Sequence, residues 1–119
     1  MATQSIVRMK KRKQFLNVAH QGWRIVMHSM IVQACPNMTD VVRIGFTVTK
    51  KVGCAVVRNR IRRRLREVVR LNPQIPLLTG LDFVIIGRQA THDVSFEALK
   101  QDLAAALNQI QDRREKKQS

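Results

Sequence analysis

The chain has 119 residues, 45% of them apolar, and carries 22 lysines and arginines against eight acids, for a formal net charge of +14. That length suits one domain with a modest core, and the apolar share excludes a disordered basic tail. The charge is clustered, with +8 in residues 50–70, +5 in residues 8–13 and +2 from Asp112 onward, on a body that sums to −1; such a pattern suits a polyanionic partner, nucleic acid above all.

Residues 1–7 are expected to be disordered, residues 8–111 to form a single domain, and residues 112–119 to make a charged flexible tail. Residues 10–20 predict a short helix with Phe15, Val18 and Ala19 inward and Gly22 as its stop. Trp23 to Ala34 is rich in Ile, Val and Met and predicts one or two strands; Cys35-Pro36-Asn37 then turns the chain. Val42, Ile44, Phe46 and Val48 alternate with Arg43, Gly45, Thr47 and Thr49, which predicts a strand with one buried face.

A second helix is predicted from Cys54 to Leu71. Val57, Ile61, Leu65 and Val68 form its apolar stripe, and Asn72-Pro73 ends it. Pro76 and Gly80 mark a loop, and Phe83-Val84-Ile85-Ile86 reads as a central strand. The last helix has Ser95 as its N-cap and Phe96, Leu99, Leu103, Leu107 and Ile110 as its core stripe. This order of elements predicts an α+β or α/β layered domain.

A membrane surface is a poor partner, because the basic helix lacks the large aromatics that an interfacial helix inserts. No stretch approaches the roughly 20 apolar residues of a membrane span, and the start MATQSIVRMKKRK does not read as a signal peptide. Cys35 and Cys54 stand 19 residues apart without a CxxC, so reduced thiols and a cytoplasmic location are expected. His20, His28 and His92 show no ligand spacing with either cysteine, and no protein-held metal is expected. The acids form no spaced cluster of metal-nuclease type. Glu67 reads as a partner for Arg63 and Arg64, and Asp82, at a strand start, as structural. Neither a nucleophile–base arrangement nor a phosphate-cradling GxxxxGK[ST] is present, which favours a binding protein over a self-sufficient enzyme.

The predicted second helix carries seven arginines, at 58, 60, 62, 63, 64, 66 and 70. Four like-charge pairs stand at i,i+4, each costing an isolated helix roughly 0.2–0.5 kcal/mol. A polyanion lying over them removes that cost. Guanidinium forks match phosphate and stack on bases, and so many on one helix suit the crossing backbones of a folded RNA. Asn59 adds a donor and an acceptor. No helix-turn-helix, zinc finger or zipper pattern supports a DNA-binding regulator. Phe15 and Phe46, beside Lys50 and Lys51, are either stacking surfaces for a single strand or core residues.

The segment from Arg43, RIGFTVTKKVGCAVVRNRIRRRLRE, closely resembles the signature of bacterial ribonuclease P protein subunits. Its hallmark is Arg58-Asn59-Arg60, preceded by Val52-Gly53-x-Ala55-Val56. The likeness extends to KKRKQFLNV, Gly22, Leu81-Asp82-Phe83-Val84 and the Phe96/Leu99 helix, roughly residues 8–110.

The resemblance implies an αβββαβα two-layer sandwich, ribosomal protein S5 domain 2-like, with the Arg-rich helix in a left-handed βαβ crossover. It implies an endoribonuclease holoenzyme in which the RNA subunit with bound Mg²⁺ is the catalyst and the protein has no catalytic residues. The partners would be the ribonuclease P RNA and precursor tRNA, whose 5′ leader is removed; no small-molecule substrate is implied. Contacts to RNA would come from Lys50, Lys51, Arg58, Asn59 and Arg60, and from Arg62, Arg63, Arg64, Arg66 and Arg70. The leader cleft would hold Lys11, Arg12, Phe15 and Phe46. Three positions depart from the family pattern: Ala19 and Gln33 replace cleft aromatics, and Cys54 replaces the common Asn before the helix. The rival reading is a non-catalytic RNA-binding protein of the ribosome or its assembly.

Overall fold

Alternation along one strand organises the protein. The computed structural model describes residues 6–118. Its strands are β1 (Ile6–Arg8), β2 (Trp23–Val26), β3 (Met30–Pro36), β4 (Val42–Thr47) and β5 (Leu81–Gly87). Its helices are α1 (Arg12–Gln21), α2 (Ala55–Arg70), α3 (Gln89–Asp93) and α4 (Phe96–Gln118). The strands form one five-stranded sheet in the order β1-β4-β5-β3-β2. β1 and β5 run parallel to β4, β3 pairs antiparallel with β5, and β2 closes a hairpin on β3. The β4–α2–β5 segment is therefore a crossover between adjacent parallel strands.

Val42, Ile44 and Val48 point to the same face as Met30, Val32, Ala34, Phe83 and Ile85, and α2 and α4 cover that face. Ile61, Leu65 and Val68 of α2 meet Leu99, Leu103, Leu107 and Ile110 of α4 in this core. Burying each such Leu or Ile contributes about 2 kcal/mol, an upper bound. Gly87 lets α2 sit close, since a Cβ there would lie 2.5 Å from Ile61 Cγ2. The opposite face holds a smaller cluster of Met9, Val18, Cys35 and Val84, with Phe15 and Ile86 packed against it under α1.

Several expectations are corrected. Ile6 and Val7, expected to be disordered, extend the sheet beside Val42 and Arg43; residues 1–5 lie outside the described residues. The tail expected to fray continues as α4 to Gln118, and Arg114 Nη2 donates to the Thr79 carbonyl at 3.0 Å. Ala19 is exposed rather than inward. Trp23–Pro36 resolves into two strands. The helix α3 had no periodic signal.

Ser95 caps α4 as expected, its Oγ accepting from Ala98 N at 3.1 Å. Asn72 Oδ1 accepts from the backbone of Gln74 and Ile75, which starts a new turn and ends α2.

Candidate nucleic-acid interface

Because α2 fixes Ile61 and Leu65 into the core, the position of every arginine on it is set. Asn59, Arg60, Arg63, Arg66 and Arg70 are exposed, and Arg62 is half-exposed. Arg62 Nη1 donates to Asn59 Oδ1 at 3.3 Å, which leaves the Asn59 amide group as its open donor. Lys50 and Lys51 lie exposed in a 3-10 turn before the helix.

Glu67 pairs with Arg70, not with Arg63 or Arg64. Arg70 Nε and Nη2 donate to its two oxygens at 3.1 and 2.5 Å. That hydrogen-bonded pairing holds the Glu67 carboxyl below its usual range and raises Arg70. Arg63 and Arg66 carry no ion pair among the described residues.

Arg64 is not a free cation for RNA. Its Nη1 donates to the carbonyls of Thr91 and His92, both at 2.9 Å, and its Nη2 to that of Val94 at 2.7 Å. It therefore caps the C-terminal end of α3, where carbonyls lack helical partners and a cation is favoured. Arg58 stands on the other shoulder of the apolar stripe. Its Nε is buried and has no hydrogen-bond partner among the described residues.

The predicted leader residues separate. Phe15 and Phe46 border one groove of about 430 Å³ with Lys10, Arg12, Leu16 and Thr47. Both rings are half-buried: Phe46 packs on the main core and Phe15 on the smaller cluster, each keeping an edge on the groove. Lys11 lines a different groove, of about 240 Å³, with Lys13, Gln14, Asn17, Arg43 and Asp82. Lys11 is the N-cap residue of α1, with extended backbone, and lies on the other side from Arg12. Gln33 is 6% exposed, so it offers little to a cleft.

Asp82 is structural, as expected. It is 2% exposed and accepts from Arg43 Nε at 2.6 Å and Arg43 Nη2 at 2.9 Å. Asn37 Nδ2 adds a third hydrogen bond at 2.9 Å. Sequence reading missed this role for Arg43, because the pair is 39 residues apart.

Cys54 is the N-cap residue of α2, and its side chain makes no capping hydrogen bond. The backbone N–H groups of Val57 and Val56 hold its thiol below the usual range, and Arg58 adds to this. Among the described residues, no three of His, Cys, Asp and Glu gather to hold a metal, and no helix is long and apolar enough to cross a membrane.

A family model described as Ribonuclease P matches residues 4–111. The ribonuclease P protein component of Gluconacetobacter diazotrophicus is 50% identical over 101 residues, covering 84% of this chain and 87% of its own. That of Paramagnetospirillum magneticum is 44% identical over 108 residues, covering 87% and 81%. Among solved structures, the RNase P protein of Thermotoga maritima matches with a TM-score of 0.74 at 30% identity, over 87% of this chain and 96% of that one. The Staphylococcus aureus RNase P protein matches with a TM-score of 0.72 at 29% identity, over 85% and 92%. With its basic helix on a mixed sheet and a match along nearly its whole length, the chain belongs to the ribonuclease P protein family.

Proposed function

We propose that this chain is the protein subunit of a bacterial ribonuclease P and assists removal of the 5′ leader from precursor tRNA. The observation that carries the reading is the solvent-facing side of α2. Arg60, Arg63 and Arg66 are exposed there with no ion pair among the described residues, on a helix locked to the sheet by Ile61 and Leu65. Unpaired guanidinium groups on a fixed helix bind phosphates without first breaking internal pairs.

In this reading the ribonuclease P RNA lies against α2, with Lys50 and Lys51 extending the contact. Arg58, half-buried on α2, adds its guanidinium to that contact, and Arg64 works through the packing of α2. The precursor's leader lies in the groove beside Phe15 and Phe46, where rings stack on bases and Lys10 and Arg12 meet the backbone. The holoenzyme is an endoribonuclease working in the cytoplasm.

Mg²⁺ belongs with the RNA. Of this chain's carboxylates, Asp82 is taken by Arg43, Glu67 by Arg70 and Asp102 by Ser29, and the described residues bring no three metal-ligating side chains together. No step of the reaction is assigned to a protein-held metal. The rival reading, a ribosomal or assembly RNA-binding protein, has composition on its side but not the family match.

Reconstitution tests the proposal. The protein is added to a bacterial ribonuclease P RNA at low Mg²⁺, and precursor tRNA cleavage is followed. Stimulation of cleavage at the mature 5′ end is expected. Binding of the RNA with no stimulation would return the chain to the rival reading.

A further inference from the structure

Between the C-terminal end of α2 and the first half of α4 lies a pocket of about 200 Å³, away from α1 and both of its grooves. Its walls are apolar, with Leu71 and Pro73 on one side and Ala104 on the other. Two side-chain amides line it as well, Asn72 and Gln74, and each is held by one end only. Asn72 Oδ1 accepts from the backbone N–H groups of Gln74 and Ile75 at 2.8 and 3.0 Å. Gln74 Nε2 donates to Asn108 Oδ1 at 2.9 Å. Those bonds settle which end of each amide is oxygen and which is nitrogen. Among the described residues they leave Asn72 Nδ2 as a spare donor and Gln74 Oε1 as a spare acceptor.

An apolar slot with a few fixed polar groups is the general form of a small-ligand site. At about 200 Å³ this one falls below the roughly 300 Å³ at which drug-sized ligands are enclosed, so it suits a single flat ring system. An aliphatic side chain of a partner protein would fit the walls but leave the spare donor and acceptor covered and unpaired. A nucleobase satisfies both, because its faces meet apolar walls and its edge carries acceptors and donors. Position names the source. Arg63, Glu67 and Leu71 follow one another a turn apart on α2, so the mouth of the pocket continues the face on which Arg63 and Arg66 stand exposed. Lys100, on the opposite rim, is exposed and meets Glu97 only at 3.7 Å, beyond hydrogen-bond length. We infer that this pocket receives one unpaired base, turned out of the RNA strand that lies along α2, with Asn72 and Gln74 bonding its edge and Lys100 meeting the adjoining phosphate. The arginines hold phosphates without reading sequence, whereas the pocket fixes the register of the RNA on the protein.

This inference rests on the reading of α2 as the surface for the ribonuclease P RNA. The test uses the complex of the full chain with a bacterial ribonuclease P RNA, and reads base edges with dimethyl sulfate and a carbodiimide, with and without protein. One unpaired base is expected to lose reactivity on binding. Ala104→Leu fills the slot from a half-exposed helix position. It is expected to restore the reactivity of that base and to weaken binding roughly fivefold, the low end for a stacked base. Its log–log salt slope is expected to match the wild type, because no phosphate contact is lost. Leu71→Ala removes a wall at an exposed residue and is expected to act in the same direction, which serves where Ala104→Leu does not fold. A wild-type complex in which no base gains protection would overturn the inference, and so would protection that survives both substitutions. An RNA that fails to bind the wild type at all would bring down the reading of α2 with it.

Discussion

Arg64 Nη2 lies 2.7 Å from the Val94 carbonyl oxygen, so one of the seven arginines of α2 is committed to the fold. The same guanidinium spans two further carbonyls at the end of α3. Arg64→Met therefore leaves three carbonyls without this donor and is expected to cost about 1–2 kcal/mol of stability. Urea unfolding measures that loss. The salt dependence of RNA binding is expected to stay as in the wild type, because no phosphate contact is lost. A shallower slope with unchanged stability would put Arg64 on the RNA instead.

The contrasting pair is Arg58 and Arg60. Arg58→Ala with Arg60→Ala is expected to weaken binding of the ribonuclease P RNA. Each lost phosphate contact removes roughly 0.7–0.9 from the log–log salt slope. Arg60 is exposed and costs the fold little. Titrations at several salt concentrations decide the matter; a slope equal to that of the wild type would mean both side chains point away from phosphate.

Gly45 lies against the Phe15 ring that borders the first groove. A Cβ on Gly45 would lie 2.5 Å from Phe15 Cζ and 3.2 Å from Met9 Cβ. Gly45→Ala must push the ring, and the ring can move because it is only half-buried. The protein is expected to fold, with a cost of about 1 kcal/mol for overpacking. The holoenzyme is expected to lose preference for precursor over mature tRNA while still binding its RNA subunit. Equal affinity changes for both tRNAs would make Phe15 a packing residue alone.

The core was legible because two periods are written plainly. The alternation from Val42 to Val48 marked the buried face of β4, and the spacing of Ile61, Leu65 and Val68 marked that of α2. β1 escaped because three residues, Ile-Val-Arg, carry no period and gain order only from the open edge of β4. α3 escaped for a similar reason: five residues without an apolar stripe are held by Arg64 from another helix.

Two misplacements had signals in the sequence. Arg64 stands three residues after Ile61 and next to Leu65, at the shoulder of the buried stripe, where a long side chain reaches a neighbour more readily than solvent. Lys11 and Arg12 are adjacent and stand roughly 100° apart around a helix, so adjacency alone did not put both on one groove. The Glu67 partner had no such signal. Both i−4 and i+3 spacings bring an arginine within reach, and only the packed side chains select Arg70.

Asp82 and Arg43 tie the starts of β5 and β4, which pair in register. Asp82→Asn keeps the size and one acceptor but removes the charge that balances Arg43. With Arg43 27% exposed, water offsets part of the loss. The cost is expected at about 2 kcal/mol, below the roughly 3–5 of a fully buried pair. Chemical denaturation of the isolated protein measures it, and a change under about 0.5 kcal/mol, the scatter of ordinary surface substitutions, would show that Asn37 alone suffices to hold this corner.

Cys54 provides a pH-dependent readout of the α2 surface. Backbone N–H groups of Val57 and Val56 favour its thiolate, so the thiol ionises below the range of an ordinary cysteine. Alkylation follows the thiolate fraction. The rate at Cys54 is therefore expected to rise and level off at lower pH than for a free cysteine, whereas the buried Cys35 reacts slowly at any pH short of unfolding. Adding the ribonuclease P RNA is expected to slow alkylation of Cys54, since the phosphates that meet Arg58 and Arg60 would also cover the start of the helix. A rate profile centred at the ordinary thiol range would show that the N–H groups of α2 do not reach the sulfur. An RNA-insensitive rate, with binding confirmed in the same sample, would move the RNA contact away from this end of α2.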